Sequence, residues 1–200
     1  MAPFPGRVAE LVAPRILYLH GFCSSPASWK ARLLGERLIG AGLGERFACP
    51  TLPPVPFAAI ASAEKLLAAA DGPTTLVGSS LGGYYASWLA EKYDLRAVLI
   101  NPAVMAPALL GGLVGTQTNF HTGETFEFTP EHVDQLRALA TPSVTPERYL
   151  LLVETGDEVL DYRLALARYA GSRQVVIDGG DHSFVHFPDL LPQIIEFCGL

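Results

Sequence analysis

Apolar residues follow two alternating patterns along the chain. One pattern is a short, almost continuously apolar run, typical of a parallel strand that is covered on both faces. The clear runs of this kind lie at 15–20, 74–80, 96–104, 148–156 and 173–180, and a weaker one lies at 46–52. The other pattern is apolar spacing typical of a helix. It marks 28–39, 57–70, 161–170, the residues that follow Ser80, and the stripe Leu191, Ile194, Ile195 and Cys198.

The alternation of these two patterns predicts the fold class. Strands that alternate with helices, joined by right-handed crossovers, form an open, doubly wound and mostly parallel sheet with helices on both faces. We expect about six strands. A chain of 200 residues fits one domain, 1–200. Half of the residues are hydrophobic and 17% are charged, which argues against intrinsic disorder.

The segment 105–146 interrupts the alternation. It contains several glycines, a polar and aromatic stretch (TNFHTGETFEF) and one short helical pattern (PEHVDQLRAL). Long insertions in compact domains usually serve function, so we expect a lid or cap over the carboxyl ends of the strands. Its residues Asn119, Phe120, Phe126 and Phe128 fit an aromatic wall for an acyl chain, and they fit packing of the lid against the domain equally well.

Composition limits the partners. The net charge of −6 disfavours nucleic acid, and no basic amphipathic stretch favours a membrane surface. The N-terminal stretch has no secretory pattern, and the three cysteines, Cys23, Cys49 and Cys198, form neither a CxxC pair nor a disulfide framework. We therefore expect a cytoplasmic protein. No Cys/His spacing indicates a metal, and no motif indicates a cofactor.

Ser80 is the candidate nucleophile. It is the central residue of Gly78-Ser79-Ser80-Leu81-Gly82, a GxSxG pattern that directly follows an apolar strand and precedes an amphipathic helix. In that setting the pattern predicts a nucleophile elbow, a strained strand-to-helix turn that exposes the serine at the edge of the sheet.

His182 and Asp157 are the candidate partners of Ser80. A serine hydroxyl needs a base, and His182 follows the last clear strand in a glycine-rich loop, GGDHSF. The imidazole needs a carboxylate that fixes its tautomer, and Asp157 follows the preceding strand. The chain order Ser80, Asp157, His182 is the order of the α/β-hydrolase triad. Three other carboxylates are weaker candidates: Glu158, Asp161, which is a candidate helix cap, and Asp181, which is adjacent to His182.

Two backbone N–H groups are candidates for binding the oxyanion of a tetrahedral intermediate. One belongs to Leu81, directly after the nucleophile, and the other to Phe22, in the loop that follows the first strand. Cys23 and Ser24 lie in the same turn and are candidate substrate contacts. His20 precedes this turn and is interpreted as a residue that organises the loop.

These motifs together resemble the α/β-hydrolase superfamily and, within it, the small bacterial YqiA-like esterase family. The resemblance rests on ILYLHGFCSSPASWKA, LVGSSLGGYYASWLAEKY, LINPAV, ETGDEVLDYR and GGDHSF. It implies a minimal hydrolase fold without the first antiparallel strands of larger relatives. It also implies that Ser80, Asp157 and His182 form the triad and that Phe22 donates to the oxyanion.

The expected function is hydrolysis of a small acyl ester or thioester without a cofactor, through an acyl-enzyme. Two other hypotheses stay open. The same triad supports C–C bond hydrolysis or acyl transfer to an acceptor other than water, and the same fold serves non-catalytic binding proteins. The loop after the first strand lacks the GxGxxG pattern of dinucleotide-binding folds.

Overall fold

A computed structural model describes residues 14–200; the N-terminal stretch in which no secretory pattern was found lies outside them. The strands are β1 (Arg15–Leu19), β2 (Phe47–Ala48), β3 (Thr74–Ser79), β4 (Arg96–Ile100), β5 (Gly115–Thr118), β6 (Thr125–Phe128), β7 (Tyr149–Glu154) and β8 (Arg173–Ile177). The helices are α1 (Trp29–Gly40), α2 (Pro56–Ala68), α3 (Leu81–Tyr93), α4 (Ala106–Gly111), α5 (Pro130–Ala138), α6 (Tyr162–Arg168) and α7 (Phe187–Phe197).

Six of these strands form one sheet in the order β2-β1-β3-β4-β7-β8, and every neighbouring pair is parallel. Its strands carry buried apolar residues on both faces. On one face they pack against α2, α3 and α6, and on the other against α1 and α7. The predicted architecture, a parallel sheet with helices on both faces, is therefore confirmed, and burial on both faces accounts for the continuously apolar runs.

All six strands are shorter in the structure than the sequence pattern, and two of them are shortened most. The run 46–52 forms only the two residues of β2. The run 96–104 ends as a strand at Ile100, because Asn101 has a positive φ of 39° and Pro102 has no N–H to donate to a neighbouring strand. The turn at Asn101 matters for the site, as described below.

The segment 105–146 is more regular than the sequence indicates. It contains α4, an antiparallel hairpin of β5 and β6, and α5. The short helical pattern is confirmed as α5, whose first turn is capped by Thr129 and His132 in a reciprocal box. The hairpin was not predicted, because its strands are four residues long and mostly polar. None of the helices in residues 14–200 has the length and apolar character needed to cross a bilayer.

Candidate active site

The carboxyl ends of three strands bring the predicted triad together. Ser80 follows β3, Asp157 follows β7, and His182 lies between β8 and α7. The His182 Nε2 atom lies 3.2 Å from Ser80 Oγ, and the His182 Nδ1 atom lies 2.9 Å from Asp157 Oδ2 and 3.1 Å from Oδ1. A carboxylate only accepts hydrogen bonds, so Nδ1 carries the proton and Nε2 is free to accept one from the serine.

The backbone at Ser80 has the strained geometry of a nucleophile elbow. Its φ is 55° and its ψ is −120°, which is unusual for a residue with a side chain. The turn depends on close backbone approach: a Cβ on Gly82 would overlap the carbonyl oxygen of Leu19, and a Cβ on Gly78 would overlap that of Gly82. Only glycine fits at these two positions, so the GxSxG pattern is a steric requirement of the turn.

The Asp157 carboxylate is held in place by hydrogen bonds other than the one to the imidazole. Its side chain is 1% exposed, and its Oδ1 accepts hydrogen bonds from the backbone N–H groups of Val159 and Leu160 at 2.9 and 2.8 Å. The three weaker carboxylate candidates have other partners. Glu158 accepts a hydrogen bond from the backbone N–H of His182 at 3.0 Å. Asp161 caps α6 through the N–H of Arg163, and Asp181 accepts from the Ser183 hydroxyl.

The two residues with the predicted oxyanion donors, Phe22 and Leu81, line one cavity, and Leu81 directly follows Ser80. The cavity has a volume of about 410 Å³ and is lined by Phe22, Leu81, Cys23, Ser24 and residues of the 51–54 loop and the β5–β6 hairpin. Within residues 14–200, neither the Phe22 nor the Leu81 backbone N–H donates to a protein acceptor. Burial raises the pKa of the Cys23 thiol, so at neutral pH Cys23 is a neutral wall of the cavity.

His20 organises the loop that carries Phe22. Its Nδ1 lies 3.0 Å from the carbonyl oxygen of Gly21, and its Nε2 accepts a hydrogen bond of 3.0 Å from the backbone N–H of Leu52. Burial lowers the pKa of His20. The neutral imidazole therefore joins this loop to the 51–54 loop and has no free nitrogen for use as a base.

A family model matches almost all of the described residues. The model of the uncharacterised protein family UPF0227 matches residues 15–199, which include the whole sheet and all three triad positions. The chain belongs to this family. The YqiA-like resemblance found in the sequence is thereby confirmed.

Solved structures of several other proteins have a similar fold. Est1E from Butyrivibrio proteoclasticus is 16% identical, with 94% of this chain and 88% of that one covered and a TM-score of 0.68. Mouse α/β-hydrolase domain-containing protein 10 is 19% identical, with 93% and 90% covered and a TM-score of 0.70. The esterase domain of a Rhodothermus marinus protein is 18% identical, with 94% and 87% covered and a TM-score of 0.64.

Three residues that the sequence analysis missed hold the His182 loop, the segment between β8 and α7, in place. The fully buried carboxylate of Glu154 accepts hydrogen bonds from the backbone N–H groups of Asp181 and His186, at 2.7 and 2.9 Å, and from His186 Nδ1 at 2.9 Å. Asn101, in the turn after β4, donates to the Asp181 carbonyl at 3.1 Å. A charged residue at the end of the apolar run YLLLVE was a sequence signal for Glu154.

The third residue is Lys30, a buried cation beneath the same loop. Its Nζ donates to the carbonyl oxygen of Ser183 at 2.7 Å. Burial lowers the pKa of Lys30 to about 8, although the carboxylates of Asp181, Glu154 and Asp157 act in the opposite direction. Its charge therefore balances part of the negative charge that surrounds His182.

The aromatic residues of the 105–146 segment divide between the two roles left open by the sequence. The Phe22 ring meets Phe126 and Phe128 edge to face, at centroid distances of 5.9 and 5.1 Å. Phe126 also lines the cavity, whereas Phe128 is buried and Phe120 is 80% exposed. Phe126 therefore packs the segment against the Phe22 loop and forms part of the cavity wall as well.

Proposed function

We propose that this chain is a serine hydrolase that cleaves acyl esters or thioesters of small molecules. The observation that carries the proposal is the unbroken line of hydrogen-bonding atoms from Asp157 through His182 to Ser80. The line ends near a cavity lined by Phe22 and Leu81, whose backbone N–H groups donate to no acceptor within residues 14–200. Similar folds occur in the esterase domain from Rhodothermus marinus and among metagenome-derived lipolytic enzymes, which agrees with this chemistry.

In the first half of the proposed reaction, Ser80 Oγ attacks the carbonyl carbon as its proton passes to His182 Nε2. The carbonyl oxygen becomes an oxyanion, which the N–H groups of Phe22 and Leu81 stabilise. Asp157 stabilises the imidazolium without taking its proton. The bond to the alcohol or thiol then breaks, and His182 returns the proton to that leaving group.

In the second half, water replaces the alcohol. His182 takes a proton from the water as its oxygen attacks the acyl-enzyme, and the resulting oxyanion occupies the same pair of donors. When the bond to Ser80 breaks, His182 gives the proton back to Oγ, which releases the acid and restores the free enzyme. Both halves use the same base, so a defect in His182 orientation slows both.

The test is hydrolysis of p-nitrophenyl esters of increasing acyl length by the wild type and three variants. We expect turnover to fall by about 10⁶-fold in Ser80→Ala and by about 10⁴-fold in Asp157→Asn. Ser79→Ala is the matched control, since Ser79 is the other serine of the pentapeptide, and it should keep both turnover and labelling by a fluorophosphonate probe.

The other hypotheses predict different results. Full activity in Ser80→Ala would remove Ser80 as the nucleophile. A wild type that neither hydrolyses the esters nor reacts with the probe would favour a binding protein. Labelling of Ser80 without ester turnover would direct the search, by product analysis, to C–C bond hydrolysis or to acyl transfer.

A further inference from the structure

The tip of the β5–β6 hairpin is hydrogen-bonded to the loop that carries Phe22. The Asn119 Nδ2 group donates to the carbonyl oxygen of Ser24 at 2.8 Å. The backbone N–H of Phe120 donates to the carbonyl oxygen of Cys23, also at 2.8 Å. Two successive carbonyl groups, directly after the candidate oxyanion donor, are thus joined to a hairpin almost a hundred residues further along the chain.

Hydrogen bonds within the hairpin tip orient the Asn119 side chain for its contact with Ser24. Its Oδ1 accepts hydrogen bonds from the backbone N–H groups of His121 and Thr122 at 2.9 and 3.1 Å. Its own backbone N–H donates to Glu124, across the hairpin, at 2.9 Å. Because the amide oxygen is committed to two N–H groups, the amide nitrogen has to face Ser24.

The loop on the other side of the contact needs such support. Cys23 has a positive φ of 52°, a conformation that residues with a side chain rarely adopt and that persists only where neighbouring contacts hold it. His20 holds the loop at Gly21, before Phe22. The two hairpin contacts hold it after Phe22, so the peptide that presents the Phe22 N–H is fixed from both ends.

We propose that Asn119 is a positioning residue for the oxyanion hole. It holds the 22–24 loop so that the Phe22 N–H points at the developing negative charge, and it acts through that loop without contacting the reacting atoms. The proposal rests on the proposed hydrolase function. It also implies that the hairpin tip stays closed on this loop during turnover, so that any lid motion occurs elsewhere in the 105–146 segment.

Asn119→Asp tests the proposal with a change of one functional group. The aspartate keeps the size and the acceptor for the N–H groups of His121 and Thr122, but it loses the donor to Ser24 and places a second oxygen against that carbonyl. We expect kcat to fall by about 10- to 100-fold with KM within about threefold of the wild type. Thr122→Ala, in the same hairpin tip, is the matched control and should leave both unchanged.

Three readouts distinguish positioning from a contact with substrate or from general damage. The loss in kcat should be the same for acetate and octanoate esters, because every ester develops the same oxyanion. Affinity for phenylboronic acid, which forms a tetrahedral anion on the serine, should fall by a similar factor. Asn119→Gln, which keeps the amide but displaces it by one methylene, should lose less activity than Asn119→Asp.

The outcomes separate the two proposals. An active wild type with an equally active Asn119→Asp variant overturns the positioning role alone. A loss that varies with acyl length, or one that appears in KM, also overturns it and assigns Asn119 to the substrate pocket. If Asn119→Asp does not fold, Asn119→Gln decides, and wild-type kcat and boronate affinity in that variant count against the proposal. A wild type without turnover or labelling overturns the hydrolase function and this inference with it.

Discussion

Glu154 offers the most direct test of how the His182 loop is held. Its carboxylate is fully buried and accepts three hydrogen bonds, two from backbone N–H groups of the loop and one from the His186 ring. A Cβ on Gly180 would overlap this carboxylate, so the loop fits closely over it. Glu154→Gln preserves the shape of the side chain and replaces one oxygen by an NH₂ group.

The structure sets the size of the effect. An amide has one acceptor oxygen, so at least one of the three donors loses its partner and faces another donor. An unpaired buried donor costs about 1–3 kcal/mol, and the remaining bonds weaken because they lose their charged acceptor. We expect Glu154→Gln to lower the free energy of unfolding by about 3 kcal/mol, which for a chain of this size corresponds to about 6–12 °C in Tm. We also expect kcat to fall, since Asp181 precedes His182 directly.

The assay is urea denaturation followed by circular dichroism, with ester turnover measured on the same samples. Glu158→Gln is the matched control. Glu158 is exposed and accepts one hydrogen bond from the same loop, from the backbone N–H of His182 at 3.0 Å. Its loss should cost less than about 1 kcal/mol. Equal stability of the two variants would refute the argument that the buried carboxylate holds the loop.

Two further predictions follow from close contacts and from buried charge. In thermal melts, Gly82→Ala should lower the free energy of unfolding by at least about 2 kcal/mol, because the new Cβ would overlap the Leu19 carbonyl. The variant should also have reduced turnover. Gly40→Ala is the control and should be neutral, because a Cβ at that position meets no atom within 4 Å. The depressed pKa of Lys30, about 8 against an ordinary 10.5, means that the unfolded chain binds more protons between these values, so stability rises with pH there. In Lys30→Met the free energy of unfolding should rise by about 3 kcal/mol less over this pH range than in the wild type. Parallel curves of stability against pH for the wild type and the variant would contradict the burial argument.

The central sheet, and the meeting of the three candidate triad residues at one edge of it, were predictable from signals in the sequence. Continuous apolar runs mark strands covered on both faces, and glycines around Ser80 mark a turn that excludes side chains. Asp157 and His182 follow from chain order, because the loops after successive parallel strands open at the same edge of the sheet.

The supporting residues were harder to predict because their contacts join distant segments. The β5–β6 hairpin has short polar strands, and its stability depends on packing against Phe22, which no local pattern reveals. Asn101 and Lys30 act through backbone carbonyls of a loop far along the chain. Sequence patterns indicate which side chains have the chemistry, whereas the groups that hold them appear only with the tertiary structure.

The order of strands in the sheet has a consequence for refolding. Thr75 pairs with Arg96, and Leu150 with Arg173, so each of these strand pairs closes a loop of only roughly 20 residues, at low entropic cost. Ser80 directly follows a strand of the first pair, and Asp157 and His182 lie in the loops that follow the two strands of the second. Contact between the two pairs requires β4 to meet β7 across the whole 105–146 insertion. The proposed ester hydrolysis should therefore return later than secondary structure after dilution from denaturant, and its recovery would report the docking of the two strand pairs.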